Sequence, residues 1–277
     1  MNAVRNTLRL GLAWIALAAA QMIAGMLIHV DAHTIPNMMG WLAVANTVIV
    51  LALGAAALRS DWRDWRLARA MFFIPAAIAI VDMIEGVFFL TNSPIDWRGV
   101  TLLTLASYAM AAVLWLLIFR GAPVVEAPAE TALPHRSLMQ TAGRLALCSA
   151  CYVFLYYLAG MIIFPYVREF YATQHIPSAG AIVAMQFLLR GPVFVLVCLT
   201  LLRMFRLPRV WGALAVGLAF TLLSGVAPLI VPNPFFPDAV RWVHFGEVTS
   251  SNFAFGCVVG WVWGHSSRVA QLAPAHA

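Results

Sequence analysis

The chain has 277 residues, of which 63% are hydrophobic and 10% are charged, and its mean hydropathy is +0.88. A water-soluble domain needs a polar exterior and carries about 25% charged residues, so this composition excludes that class and predicts an all-α integral membrane protein. The formal charge of +6 comes entirely from arginine, and the arginines lie singly between apolar runs. We therefore expect the lipid bilayer as a partner, and no nucleic acid.

Eight apolar stretches are long enough to cross a bilayer, which takes about 20 residues at a rise of ~1.5 Å each. The first follows Arg5 and Arg9, as in a signal peptide, but its apolar run continues to Val30, which predicts a retained helix. The predicted spans are residues 9–30, 38–58, 69–90, 100–119, 144–164, 179–202, 209–231 and 248–265.

The arginines alternate between the two ends of these spans. Thirteen lie in the N-terminal segment, in every second loop and in the C-terminal tail, whereas only Arg98, Arg168 and Arg241 lie in the other loops. The positive-inside rule assigns the arginine-rich side to the cytoplasm. The sequence thus predicts a multi-pass protein of the plasma (inner) membrane with both termini in the cytoplasm.

A Pro/Ala/Glu-rich segment divides the chain into two halves that resemble each other. The predicted parts are a four-helix membrane half (1–120), a flexible cytoplasmic linker (121–143), a second four-helix half (144–267) and a cytoplasmic tail (268–277). Arg9 and Arg144 open similar segments 135 residues apart, and a His/Pro pair precedes the second helix of each half. These similarities favour two parallel repeats; the alternative is that span ends share a common chemistry.

Charged residues inside a membrane are costly, which makes each of them a functional candidate. Arg190 lies in the middle of the sixth predicted span, and Pro192 should break that helix. Asp82 and Glu85 share one face of the third span. Asp82 lies at a depth similar to that of Arg190. We expect Arg190 to pair with Asp82, either as a structural bridge or as part of a substrate or proton site. An arginine beside a broken helix favours an anion or carboxylate.

Two uncharged polar residues are further candidates for substrate binding. Asn46 lies inside the second span and Gln21 inside the first, where interhelical hydrogen bonding is the ordinary role of such residues. Tyr156 forms a hydroxyl-bearing stripe with Tyr152 and Tyr157 on the fifth span. That stripe could line a cavity, and the alternative is simple packing.

Several histidines fall on the predicted outer side. His33, His175 and His244, together with Glu247, are candidates for a metal site, because imidazole and carboxylate groups suit zinc or copper. Their spacing matches no known ligand motif, and solvated loops are the alternative. The sequence contains no motif that identifies a cofactor, and none is expected.

Small residues recur at every fourth position of the last span, at Asn252, Gly256, Gly260 and Gly264. Such a stripe lets another helix approach closely. We expect the partner to be a helix of the same chain, with a homo-oligomer as the alternative.

Three classes of function remain. The repeats and the central charges favour a small-molecule transporter or substrate-binding permease. An intramembrane enzyme would use the buried carboxylates or the outer histidines in acid–base or metal chemistry. A membrane assembly or scaffold subunit would use its polar residues only for internal pairing and its glycine stripe to bind a partner.

Overall fold

The computed structural model describes residues 2–28, 37–90, 96–124, 137–174, 176–232 and 236–264, and within these ranges it contains helices and no strand. The helices are, in chain order, α1 (Asn2–Leu27), α2 (Met38–Arg59), α3 (Trp65–Phe89), α4 (Trp97–Phe119), α5 (Leu138–Ala172), α6 (Ala179–Met185), a first π turn (Gln186–Arg190), α7 (Gly191–Phe205), α8 (Arg209–Thr221), a second π turn (Leu222–Val226), α9 (Ala227–Ile230) and α10 (Asp238–Trp263).

Seven helical stretches of the described chain are long and apolar enough to cross a membrane. They are α1 from Ala3, α2, α3, α4, α5, the continuous stretch Ala179–Phe205 and the continuous stretch Arg209–Ile230. The prediction of a multi-pass helical membrane protein is therefore confirmed. The predicted eighth span falls on α10, whose 26 residues are long enough but too polar to count among the seven.

Helix α10 also begins ten residues before the predicted span. Residues 238–247, which the prediction placed between two spans, are therefore helical. Thr249, Ser250 and Ser251 lie inside the predicted span and add to the polarity of the helix. In the helix, their hydroxyls donate to carbonyl oxygens of the preceding turn, for example from Ser250 to Gly246 at 2.8 Å. The polar side chains are thus hydrogen-bonded within the helix, which hydropathy alone does not reveal.

Helix α5 likewise extends into the predicted linker. A capping box closes its N-terminus, where the Ser137 hydroxyl accepts from the backbone of Gln140 and the Gln140 side chain accepts from the backbone of Ser137. The helix has 35 residues. At ~1.5 Å per residue it is longer than the ~30 Å hydrocarbon core.

The helices form two groups that meet face to face. In the first group, α1 contacts α2 and α4, and α4 contacts α3; in the second, α5 contacts α7 and α10, and α10 contacts α8. Between the groups, α2 contacts α7, α8, α9 and the second π turn, and α3 contacts α7 and the second π turn. Apolar residues without solvent exposure, including Leu53, Trp115 and Phe194, fill the core of this bundle.

Both π turns end two residues before a proline. Pro192 follows the first turn and Pro228 follows the second. A proline inside a helix lacks an N–H group, and its ring clashes with the carbonyl one turn back. The wider π turn accommodates the ring, and the N–H of Gly191 donates to Gln186 O across it. The sixth span is therefore distorted at the expected place but continuous.

Arginine side chains tie helix ends together at one face of the bundle, which we call the arginine face. Carbonyls at helix C-termini lack intrahelical donors and carry partial negative charge, so guanidinium groups complement them. The pairs are Arg9 Nη2–Gly121 O (2.6 Å), Arg59 Nε–Phe205 O (3.1 Å), Arg63 Nε–Ala122 O (3.0 Å), Arg209 Nε–Trp261 O (2.9 Å), Arg144–Val262 O, and the ion pair Arg206–Asp61 (3.2 Å).

Arg63 makes the most extensive of these connections. Besides Ala122 O, it reaches Trp62 O at 2.7 Å and Pro123 O at 3.2 Å, so it holds the start of α3 against the end of α4. Burial lowers the pKa of Arg63 from its ordinary value, and the Asp61 carboxylate opposes that change. An arginine remains charged throughout the physiological pH range.

Candidate functional site

The buried guanidinium of Arg190 lies between two carboxylates of α3. Its Nη2 is 2.8 Å from Asp82 Oδ1, and its Nη1 contacts Glu85 Oε2. The two acidic residues share a face of α3 because three positions separate them. Arg190 ends the first π turn and is only 5% exposed. The structure therefore joins the third and sixth predicted spans by a three-membered ionic cluster.

Gln186 completes the cluster from the other end of the π turn. Its Nε2 donates to Glu85 Oε1 at 3.0 Å, and the residue has no solvent exposure. Neither Gln186 Oε1 nor Arg190 Nε has a hydrogen-bond partner among the described residues. The cluster thus retains one buried acceptor and one buried donor that its own members do not satisfy.

Aromatic rings cover the remaining sides of the guanidinium. The centroid of Phe194 lies 4.9 Å from Arg190 Cζ, and that of Tyr152 lies 5.8 Å from it. Both distances fall within the range of a cation–π contact. Gly191 also brings α5 close, because a Cβ added there would lie 2.9 Å from Ser149 Cβ.

The carboxylates are more accessible than the guanidinium. The side chains of Asp82 and Glu85 are 26% and 23% exposed, against 7% for Arg190. The cluster is therefore open at the carboxylates and closed around the cation.

Asp82 lies 17 residues from the start of α3, or ~26 Å at ~1.5 Å per residue, in the half of the bundle away from the arginine face.

The tyrosines of α5 divide between two surroundings. The Tyr152 ring makes edge contacts with Phe194 and Phe255, and the Tyr156 ring lies 6.5 Å from that of Tyr152. Both tyrosines lie within electrostatic range of Glu85 and Arg190. Tyr157 instead donates to Ala179 O at the start of α6. Tyr156 therefore lies beside Tyr152 near the ionic cluster, whereas Tyr157 is bonded to α6.

A second polar group lies beyond the cluster, where α5 meets α10. His244 Nδ1 is 2.6 Å from Glu247 Oε2, and His244 Nε2 is 3.0 Å from the hydroxyl of Tyr171. His244 is 8% exposed and the Glu247 side chain 10%. Both imidazole nitrogens are engaged in this triad, so His244 offers none to a metal ion in this arrangement.

The other candidates for metal binding cannot be placed. His33 and His175 lie outside the described residues. Within the described ranges, no three or more His, Cys, Asp or Glu residues are grouped so as to hold a metal ion.

Asn46 pairs with Gln21 rather than with the ionic cluster. Asn46 Nδ2 donates to Gln21 Oε1 at 2.7 Å, and Gln21 Nε2 donates to Asn46 Oδ1 at 3.1 Å. This reciprocal amide pair joins α1 to α2. The structure thus gives Asn46 an interhelical bond and separates it from the other candidate residues.

Loss of this amide pair should lower the stability of the fold modestly. We expect Asn46→Ala to lower the free energy of unfolding by about 0.6 kcal/mol, the average found for interhelical hydrogen bonds in a membrane protein, and by no more than about 1.7 kcal/mol, the largest value found. Denaturation by SDS in mixed micelles would measure it. Thr47→Ala is the matched control, because Thr47 is exposed and bonds only to Ala43 of its own helix. Equal losses in both variants would contradict the assignment.

The small residues of α10 lie against α8. A Cβ added at Gly256 would come within 2.7 Å of Gly217 Cα, and one added at Gly260 within 2.5 Å of Ala213 Cα. Asn252 donates to Ser224 Oγ at 2.9 Å. Gly264 ends the helix, where an added Cβ would meet the carbonyl of Gly260 at 2.6 Å. The close contacts of the stripe are therefore made within the chain.

Two residues of these groups were not singled out from the sequence. Gln186 lies four positions before Arg190 on the same span, and this helical spacing is the signal that could have revealed it. Tyr171 lies in the predicted loop between the fifth and sixth spans, and nothing in the sequence connects it with His244. Comparison with known proteins adds no assignment, since no family model, no curated protein and no solved structure matches the chain.

Proposed function

We propose that this chain is a small permease of the inner membrane that carries a small cationic solute. The solute would bind at Asp82 and Glu85, between the two groups of helices. The observation that carries the proposal is the charge of the buried cluster, in which one guanidinium faces two carboxylates.

The charge balance favours a cation over the anion expected from Arg190 alone. Both terminal nitrogens of Arg190 already contact carboxylates, so an incoming anion would have to displace them. Asp82, Glu85 and Arg190 together carry one uncompensated negative charge when ionised. An unpaired charge is costly in a low-dielectric interior, and a bound cation would compensate it.

One of the two unsatisfied atoms of the cluster, the acceptor, supports the same choice. Gln186 Oε1 is a buried acceptor without a donor, and a carboxylate can accept further hydrogen bonds at its second lone pairs. A solute with N–H groups could donate to both. The accessible carboxylates, rather than the enclosed guanidinium, would form its point of entry.

The proposal includes an architecture of eight spans with both termini in the cytoplasm. Helix α10 would be the eighth span, since its polar residues His244, Asn252 and Arg241 are buried against other helices instead of facing lipid. The arginine face would be the cytoplasmic face. It carries the N-terminal segment of α1 and the C-terminal end of α10.

The helix contacts support two parallel four-helix repeats. In the proposed correspondence, the helices α1, α2, α3 and α4 of the first half match α5, α6–α7, α8–α9 and α10 of the second. In each half, the first helix contacts the second and the fourth, and the third helix contacts the fourth. The second and third helices of each half face the other half. A binding site at such an interface is typical of transporters built from repeats.

Uptake into proteoliposomes tests the proposal. We expect the purified protein to take up [14C]guanidinium, a permanently charged small cation, and not [14C]pyruvate. Glu85→Gln and Asp82→Asn should each weaken guanidinium uptake at least about tenfold, which corresponds to about 1.4 kcal/mol of binding energy. Glu169→Gln is the matched control, because this glutamate of α5 is exposed and distant from the cluster along the helix. Preferential pyruvate uptake, or equal guanidinium uptake in all three variants, would contradict the proposal.

An intramembrane enzyme is a second candidate because of one observation. The triad of Tyr171, His244 and Glu247 contains an imidazole oriented by a carboxylate, as in general acid–base sites. The scaffold class gains no comparable support, because the glycine stripe is occupied by α8 and so offers no obvious surface to a second copy.

A further inference from the structure

We propose that Tyr171, His244 and Glu247 form a proton-binding site, separate from the ionic cluster, through which cation uptake is coupled to a proton. The existence of the site follows from the geometry of the triad, and its coupling role rests on the proposed transport function. The three side chains come from α5 and α10, and none of them contacts Arg190, Asp82 or Glu85 by a hydrogen bond or ion pair.

The hydrogen bonds determine which tautomer the triad's imidazole adopts when it is neutral. An ionised carboxylate can only accept, so His244 Nδ1 must carry the hydrogen in the 2.6 Å bond to Glu247. Neutral imidazole then has a free lone pair on Nε2, which accepts from the Tyr171 hydroxyl at 3.0 Å. In this state the triad carries the single negative charge of Glu247.

One added proton can be accommodated without breaking either contact. The proton binds His244 Nε2, which becomes a donor to the hydroxyl oxygen of Tyr171, and the tyrosine turns its own hydrogen away. Nδ1 continues to donate to Glu247, now as part of an imidazolium–carboxylate pair. Both protonation states are hydrogen-bonded, and the proton changes the charge of the triad from −1 to zero. Histidine is suited to this exchange because its ordinary pKa lies near 6.5.

The groups that face the triad are predominantly acidic or neutral. On α5 they are Tyr152, within electrostatic range of Glu247, and Tyr156, within electrostatic range of Tyr171. Glu85 on α3 also lies within electrostatic range of Tyr171. On α10 itself, Arg241 is paired with Asp238 and donates hydrogen bonds to the carbonyls of Leu229 and Ile230. The second π turn and α9 contribute no titratable side chain. Arg190, already paired with two carboxylates, is the nearest cation of α7 and its preceding turn.

The second oxygen of Glu247 lies on the side of α5. This Oε1 is 3.8 Å from the position of a Cβ at Gly160. The absence of a side chain at Gly160 leaves the oxygen uncovered on that side. Tyr152 interacts electrostatically with Glu247 and with both carboxylates of the cluster. Since the two sites are separate, a proton and a cation can be bound together, which predicts symport rather than exchange.

Titration of His244 tests the site without any assumption about transport. We expect one imidazole signal of histidine-labelled protein in nanodiscs to respond to proton binding as the pH is lowered, and that signal should be missing in His244→Gln. Glu247→Gln should move its midpoint to lower pH, because the imidazolium loses its carboxylate partner. The exposed control Glu169→Gln should leave it unchanged. An imidazole of His244 that does not titrate, or a midpoint insensitive to Glu247→Gln, overturns the proton site.

Proteoliposomes test the coupling role with [14C]guanidinium as the probe. An acidic exterior should increase accumulation about tenfold per pH unit for one proton per cation. His244→Gln and Glu247→Gln should abolish this increase, and Glu169→Gln should keep it. A wild-type protein that takes up no guanidinium rejects the proposed transport, whereas uptake that ignores the pH gradient rejects the coupling. Either result is distinct from a failure of the titration.

Discussion

Arg190→Met should be among the most damaging single substitutions in this protein. Removing the guanidinium leaves Asp82 and Glu85 as two neighbouring carboxylates without their cation. Breaking a buried pair by removing one partner costs about 3–5 kcal/mol, because the remaining charge stays buried and uncompensated. We expect a loss of this size in the free energy of unfolding, measured by SDS denaturation in mixed micelles.

Neutralising the carboxylates as well should recover most of that loss. In Arg190→Met/Asp82→Leu/Glu85→Gln no charge remains in the cluster, and the amide introduced at position 85 can still bond to Gln186. Replacing a complete buried ionic group by uncharged residues is often close to neutral for stability. If the triple variant were as unstable as Arg190→Met alone, the loss would come from packing of the arginine side chain rather than from charge. The triple variant should also bind no cation.

Gly256→Ala should separate two helices that now touch through their backbones. The added methyl group would lie 2.7 Å from Gly217 Cα and 3.1 Å from Gly217 N. Backbone atoms cannot turn aside as a flexible side chain can, so α8 and α10 must move apart. Overpacking of this kind costs about 1–3 kcal/mol, and we expect that decrease in the free energy of unfolding in mixed micelles.

Gly246→Ala provides the control on the same helix. Nothing lies within 4 Å of a Cβ built at Gly246, and alanine favours a helix over glycine by about 0.8–1.0 kcal/mol. This variant should therefore be as stable as the wild type or slightly more so. Equal destabilisation by both substitutions would mean that the contact between α8 and α10 is looser than described.

Composition and hydropathy were sufficient to predict the class of the fold. A segment that crosses a bilayer needs a long apolar run, so candidate spans such as α2 and α4 can be recognised from the sequence alone. The same rule predicted a span at 248–265, but α10 begins at Asp238 and is not among the seven described helices that are apolar enough to cross a membrane, because its polar residues lower its mean hydropathy. Hydropathy measures the average character of a segment, and it cannot tell whether a polar side chain faces lipid or protein.

The site was less accessible to sequence reasoning than the fold. Spacing and depth could place Asp82 and Arg190 at one level, because helix geometry is regular within a span. The anion preference inferred from Arg190 did not anticipate that both carboxylates would contact one guanidinium, since their side-chain directions depend on helix rotation. Tyr171 and His244 belong to different helices 73 positions apart, and only the tertiary packing brings them together.

The arginine face has a mechanical consequence. Arg59 and Arg206 connect the two groups of helices there, through Phe205 O and Asp61, and the cluster at Arg190 connects them again farther along. A cation that competes for Asp82 and Glu85 would release the second connection while the first stays in place. The two groups would then pivot about the arginine face, and they would separate at the end of the bundle away from it.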